Sequence, residues 1–268
     1  MFINKIREKF GRNKAVKPKD YLSNILSDTT HYSISEAYKT ARTNLMFTLA
    51  AEKGCKKIIV TSSQSGEGKS TTTSNLAIAF AQTGARVMVL EADLRRPKLH
   101  RYFSLPNDKG MSEFLGGFAT MEEVIQHVEK YNVDCITGGK VPPNPSELLI
   151  SPLFAELLEK LSENYDYIFV DSPPINVVSD PISIAKLMSG AVVVARQNYT
   201  TSEVLRQAIA SLEFGDIKIL GYILNASKDV PGVSKKAYKT RYGYKQYSKY
   251  GYYGYSKYGH HSQNDDDE

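Results

Sequence analysis

The stretch Ser62-Ser63-Gln64-Ser65-Gly66-Glu67-Gly68-Lys69-Ser70-Thr71 has the residue types needed to hold a chain of phosphates. It follows the apolar run Ile58–Thr61 and opens a segment with helical spacing. Gly66 and Gly68 let the backbone curl so that successive N–H groups face one anion. The start of the helix adds its positive end. The predicted phosphate contacts are therefore Ser65, Gly66, Glu67, Gly68, Lys69, Ser70 and Thr71. Lys69 would reach the β- and γ-phosphates of ATP, and Ser70 would place its hydroxyl on Mg²⁺. This is a Walker A loop in which Ser63 stands where the GxxxxGK[ST] pattern has its first glycine.

Two further apolar runs end on carboxylates. One reads Val87-Met88-Val89-Leu90-Glu91-Ala92-Asp93-Leu94-Arg95, the other Ile168-Phe169-Val170-Asp171-Ser172-Pro173-Pro174. Ligands of doubly wound sheets collect at the carboxyl ends of the strands, so these acids should face the phosphates. A hard Mg²⁺ ion needs only one or two carboxylates beside phosphate oxygens and water. Asp93 and Asp171, with Ser70, are the predicted metal set. Glu91 would orient or deprotonate an attacking hydroxyl. Arg95 would add positive charge or pair with an acidic neighbour.

A candidate for that hydroxyl lies near the other end. Tyr238, Tyr242, Tyr244, Tyr247, Tyr250, Tyr252, Tyr253, Tyr255 and Tyr258 make up half of the 18 tyrosines. They alternate with Gly, Ser and Lys, without the Leu, Ile or Val that would build a core, so the segment is predicted to be mobile with accessible phenols. Accessible phenols on a nucleotide-binding chain suggest substrates. The other reading is a binding module whose rings stack on sugars or single strands. The chain then runs into Asp265-Asp266-Asp267-Glu268.

The elements that must position these groups follow from the pattern between them. Short apolar runs at Ile58–Thr61, Val87–Leu90, Val133–Thr137, Tyr167–Val170, Ala191–Ala195 and Ile217–Leu224 read as strands. Helical spacing falls at Ser70–Thr83, Pro145–Leu149, Leu153–Ser162, Pro181–Met188 and Ser202–Leu212, with Asn144 and Pro145 as an N-cap and first-turn pair. That alternation predicts an α/β fold with a doubly wound, mostly parallel sheet. Ahead of it, Ser33 with Glu36 suggests a capping box for a helix carrying Ile34, Ala37, Ala41, Leu45 and Leu49.

The predicted organisation is a basic arm over 1–30, a P-loop domain over 31–227 and a tyrosine tail over 228–268. Net charge is +5, concentrated in the arm and the tail, which points to anionic partners or to solvated flanks. The arm could form a short amphipathic helix at a membrane surface. Neither a membrane span nor a signal peptide is expected. Cys55 and Cys135 form no CxxC pair and read as reduced structural thiols.

Together these motifs resemble the bacterial tyrosine kinases, P-loop proteins unrelated in fold to eukaryotic protein kinases. The resemblance spans most of 32–258. It rests on the Walker A loop, the Glu91-Ala92-Asp93-Leu94-Arg95 and Asp171-Ser172-Pro173-Pro174 strand ends, Pro142-Pro143-Asn144-Pro145-Ser146-Glu147-Leu148-Leu149, and the tyrosine cluster. It implies ATP- and Mg²⁺-dependent autophosphorylation of the tail in trans, with Lys69, Glu91, Asp93, Asp171 and Arg95 in the reaction. It also implies control of capsular or extracellular polysaccharide synthesis. The implied location is cytoplasmic, at the inner membrane face, held there by a membrane-anchored activator of the polysaccharide co-polymerase type. Other biosynthetic enzymes would be further substrates, and nucleic acid is not an expected partner. The family's DxDxR has Glu91 in its first place here. Its ExxRxxR, associated with ring-like assembly, reads Glu36, Lys39 and Arg42, and lysine loses the bidentate fork. The rival reading is an ATPase switch of the plasmid-partition or division-site type. Such proteins carry an early loop lysine, and here Gln64 holds that place.

Overall fold

Strands whose residues are apolar on both sides can only sit between two layers, and such strands form the centre of this protein. The computed structural model describes residues 21–227. The expectations for residues 1–20 and for the tyrosine segment lie outside the described residues.

Among the described residues seven strands make one sheet: β1 (Lys56–Ser62), β2 (Val87–Glu91), β3 (Ile125–Val128), β4 (Val133–Ile136), β5 (Tyr167–Asp171), β6 (Gly190–Arg196) and β7 (Ile219–Asn225). Their order across the sheet is β3-β4-β2-β5-β1-β6-β7. All neighbours pair in parallel except β3 with β4. The mostly parallel sheet is thus as expected, while the antiparallel edge strand β3 was not anticipated from the sequence. Its half-exposed Ile-Gln-His-Val run has little apolar signal.

Alternation along the strands splits the core in two. Ile58, Val60, Val87, Val89, Phe169 and Val192 face one layer. Ile59, Met88, Leu90, Ile168, Val170 and Val193 face the other. The first layer is built by helix α1 (Tyr32–Thr48) and helix α2 (Lys69–Ala81). Every residue of α2 except Thr71 is buried, because the helix lies along the sheet and under α1. Phe80 anchors it there, with its ring against Tyr167 and Phe169 at 4.5 and 5.2 Å.

The cap of α1 corrects the sequence reading. His31, not Ser33, is the N-cap, and its Nδ1 accepts from Ser33 N–H. Leu45 and Leu49 of the expected apolar face are buried, whereas Ile34 is exposed. Residues within the expected arm also pack on the body. Ile25 and Leu26 are buried, and Asn75 of α2 accepts from Leu26 N–H and donates to Asn24 O at 2.8 and 2.9 Å.

The remaining helices are α3 (Leu99–Phe103), which packs on the first layer, and α4 (Met111–Leu115), α5 (Met121–Val124), α6 (Pro145–Leu149), α7 (Pro152–Ser162), α8 (Asp180–Ala185) and α9 (Ser202–Phe214) on the second layer and its loops. Asn144 and Pro145 do stand at the N-cap and first position of α6, the Asn144 side chain donating to Glu147 Oε2 rather than capping the backbone. The first three were not anticipated, being too short for periodicity to register. No helix among the described residues is long and apolar enough to cross a membrane. Cys55 and Cys135 are free, and burial raises both thiols.

Candidate functional site

The strand order puts the ends of β2, β5 and β1 side by side. In the register, Asp171 lies beside Val60 on one side and beside Glu91 on the other. The loop after β1 therefore opens directly over the two acidic strand ends.

That loop reaches α2 through Gly68, which has a φ of 93°. Helix α2 has no side-chain cap, so its first N–H groups are left for an anion. Lys69 turns back from the first turn and buries its ammonium between carboxylates. Nζ lies 2.9 Å from Asp93 Oδ2 and 3.8 Å from Asp171 Oδ1. Burial disfavours its charge, but Asp171, Asp93 and Glu91 outweigh that and hold it protonated well above the usual lysine range. Thr73 donates to Asp171 Oδ1 at 3.3 Å, while Asp171 Oδ2 is buried with no hydrogen-bond partner among the described residues. Burial raises the Asp171 carboxyl, with Lys69 opposing.

Three buried acids against one buried ammonium leave negative charge uncompensated. The free Asp171 oxygen, Asp93 and the Ser70 hydroxyl, itself buried, suit a divalent cation bound through oxygen. Among the described residues no group of three His, Cys, Asp or Glu side chains forms a metal cage. An ion here would take its remaining ligands from phosphate and water, as Mg²⁺ does.

Glu91 is fully buried. Its Oε2 accepts from Lys98 N–H at 2.6 Å and Leu99 N–H at 2.9 Å. Its Oε1 accepts only the longer bond from Asp93 N–H, at 3.3 Å. Burial and then Asp171 push its pKa up to about 8, against Lys69 and the two short N–H bonds. Glu91 thus braces the chain from β2 to α3 and keeps one oxygen lightly used.

Of the two roles expected of Arg95, the structure supports the ion pair with an acidic neighbour and not added charge at the phosphates. Arg95 does not point to the phosphate site: Nη2 donates to Ser146 Oγ at 2.7 Å and Nε lies 3.4 Å from Asp180 Oδ2. The Pro-Asn-Pro-Ser segment is what holds it. Glu67 stands in the loop where its backbone N–H was expected to meet phosphate, and its side chain turns inward and is buried. It accepts from Ser63 Oγ at 2.7 Å, from Gln64 N–H at 2.9 Å and from Thr200 Oγ. Ser63, in the place of the missing glycine, is thereby a strut of the loop. The oligomerisation trio is divided as well. Glu36 and Lys39 pair with each other at 2.8 Å on the surface, whereas Arg42 donates to Ala79 O at 2.7 Å and docks α1 on α2.

Other bracing residues were missed by sequence reasoning. Arg196 donates to Gly66 O at 3.0 Å, Tyr199 to Ser65 O at 2.9 Å and Asn225 to Glu67 O at 3.0 Å. Only their position at the ends of β6 and β7 could have signalled them, since ligand sites gather at strand ends. The fit is tight: a Cβ on Gly68 would lie 1.8 Å from Asn225 Nδ2. Gly68→Ala, strained by its positive φ as well, is expected to weaken ATP binding at least about tenfold. Titration calorimetry checks this, and unchanged affinity would show that the brace is dispensable.

Known proteins share this sequence pattern and fold. A family model described as ParA: NUBPL iron-transfer P-loop NTPase matches residues 54–251. Tyrosine-protein kinase YwqD of Bacillus subtilis is 37% identical over 223 residues, covering 83% of this chain and 92% of that protein. The chain belongs to the bacterial tyrosine-protein kinases. Among solved structures, the kinase domain of Escherichia coli tyrosine kinase ETK superposes with a TM-score of 0.70 at 32% identity, over 78% of this chain and 89% of that one. The chimerical protein CapA2B2 gives the same TM-score at 34% identity, over 74% and 86% of the two chains. The fold of the family is thus the P-loop α/β sheet described above.

Proposed function

We propose that this kinase transfers the γ-phosphoryl group of ATP to tyrosines 238–258 of a neighbouring copy. The observation that carries the reading is the buried Lys69–Asp93–Asp171 cluster beneath an uncapped helix N-terminus. ATP with Mg²⁺, when bound, supplies the transferable phosphoryl group and neutralises its charge. Backbone N–H groups of residues 65–71 bind the phosphates. Lys69 stabilises negative charge on the transferring group, and Ser70, Asp93 and Asp171 hold the metal. The incoming phenol, with an ordinary pKa of about 10, needs an acceptor for its proton. Glu91 Oε1 is that acceptor, because Asp93 is committed to Lys69 and to Arg96 N–H. Arg95 fixes α6 and α8 rather than touching the reacting atoms.

The kinase reading is favoured over an ATPase switch by the relatives' names and by the nine clustered phenols, for which a switch has no use. The wider role follows from the same family. The chain works as a homo-oligomer, a ring assembled through α1, and is held at the cytoplasmic membrane face by a membrane-anchored activator. There it regulates capsular or extracellular polysaccharide synthesis, with other biosynthetic enzymes as further substrates.

A mixing experiment tests the trans reaction. A chain with all nine tail tyrosines changed to Phe keeps the catalytic machinery without its acceptors. A Lys69→Ala chain keeps the acceptors without catalysis. Incubated together with ATP and Mg²⁺, they should give phosphotyrosine on the Lys69→Ala chain, read by mass spectrometry. Phosphate in wild type alone would make the reaction intramolecular. None in any mixture or in wild type from polymer-producing cells would sink the kinase assignment.

A further inference from the structure

Beside the catalytic cluster, a groove of ≈ 640 Å³ carries six basic side chains: Arg95, Arg96, Lys98, His100, Arg101 and Lys140. Among the described residues no acid lines it. Glu91 lies just behind its wall, since its Cγ is 3.1 Å from where a Cβ on Gly138 would stand and its Oε2 holds Lys98 N–H. Two of the six are occupied elsewhere, Arg95 with Asp180 and Arg101 with the ring of Tyr21 at 5.6 Å. Among the described residues no salt bridge reaches Arg96, Lys98 or Lys140. Three like charges gathered in a concavity repel one another and raise the local concentration of anions. A concave groove of this volume suits a short peptide segment better than a flat surface does.

The sequence supplies one segment of matching charge. Asp265-Asp266-Asp267-Glu268 is its only run of more than two consecutive acids. We propose that this groove docks residues 265–268 of a second copy of the chain. The consequence, though not the binding itself, rests on the trans-phosphorylation reading. Six residues lie between Tyr258 and Asp265, and the seven steps give an extended span of up to about 25 Å. Asp93 lies only two and three residues before Arg95 and Arg96. A docked acidic run therefore holds the last tyrosines within reach of the site and makes their delivery intramolecular in effect. It does this before any phosphate is on the tail.

Binding without ATP tests the proposal separately from catalysis. The protein is the full chain carrying D265N/D266N/D267N/E268Q, so that its own acidic run does not compete. The probe is a labelled peptide of residues 259–268, followed by fluorescence anisotropy. Binding should be saturable and weaken with salt, and the peptide with all four acids amidated should bind about tenfold more weakly or not at all. Arg96→Glu with Lys140→Glu should cause a similar loss. Lys140→Glu alone, on a different segment of the chain from Asp93, should cause part of it and guards against disturbance of Asp93 by the first change. Equal binding of acidic and amidated peptides, or no effect of either charge reversal, overturns the proposal. So does peptide failure alongside Lys140-dependent binding to phosphatidylcholine–phosphatidylserine vesicles, which would give the groove to a membrane.

Discussion

Lys69→Met is expected to abolish tyrosine phosphorylation and, in the same molecule, to lower the stability of the nucleotide-free fold at neutral pH. The first effect follows from removing the ammonium that faces the transferring group, and losing one such charge-stabilising donor costs about 10²–10³ in rate. The second follows from burial. Asp93 and Asp171 are almost wholly inaccessible, and Lys69 is the cation that pairs with both. Removing one partner of a buried pair leaves charge uncompensated and costs about 3–5 kcal/mol. For a domain of this size that is a drop in Tm of roughly 6–20 °C.

The pH dependence of that drop has a definite sign. The folded Lys69 pKa is raised, so its contribution is complete throughout the neutral range and is lost only as pH rises beyond the ordinary lysine value. In the variant, the orphaned carboxylates prefer to be protonated, so the folded variant binds more protons than its unfolded chain. Its stability therefore falls as pH rises from about 4 towards neutrality. The gap between wild type and variant should be smallest near pH 5 and largest near pH 8. Millimolar Mg²⁺ should stabilise the variant more than the wild type, because the metal then occupies an acidic site with no competing ammonium. Calorimetric scans at the two pH values, with and without Mg²⁺, decide it. Equal Tm at both pH values would mean that the cluster is hydrated and not electrostatically coupled.

How far the sequence led depended on the range of the interactions. Strands β1, β2, β5 and β6 were legible because both faces are buried, which writes a continuous apolar run into each. The phosphate loop was legible because its glycines, Lys69 and Ser70 act within one turn of chain. The acidic strand ends were legible because a parallel sheet fixes where they must emerge. What stayed hidden was set by partners far along the chain. Glu67 occupies a phosphate-loop position, and nothing nearby shows that Thr200 will turn its side chain inward. Arg95 carries the charge expected of a catalytic group, yet Asp180 and Ser146 claim it. His31 displaces Ser33 as a cap because its ring nitrogen reaches Ser33 N–H, a contact that residue preferences rank low. Helices of four or five residues, such as α3 to α5, are held by packing and leave no period to read.

Glu91→Gln separates the two tasks that its side chain performs. As proton acceptor, a carboxylate near the working pH contributes about 10²–10⁴ to rate, so phosphorylation of the tail at pH 7.5 should fall by that order with ATP affinity retained. Glu91→Asp keeps a carboxylate one methylene shorter and should recover most of the loss. As a brace, the residue should reveal itself in stability without metal. Burial raises the folded Glu91 pKa to about 8, so the folded chain holds this proton better than the unfolded one. Between the ordinary glutamate value of about 4.3 and that raised value, wild-type stability should therefore decline with rising pH, by up to about 1.4 kcal/mol per unit. Glutamine has no proton to lose and should flatten that slope when EDTA is present. Denaturant titrations from pH 5 to 8 measure the slope, and single-turnover phosphorylation measures the rate. A flattened slope with a wild-type rate would leave Glu91 as a brace alone and pass the phenol proton to Asp93. The lightly bonded Oε1 argues for the other outcome, because a group serving only as a brace would be expected to use both oxygens fully.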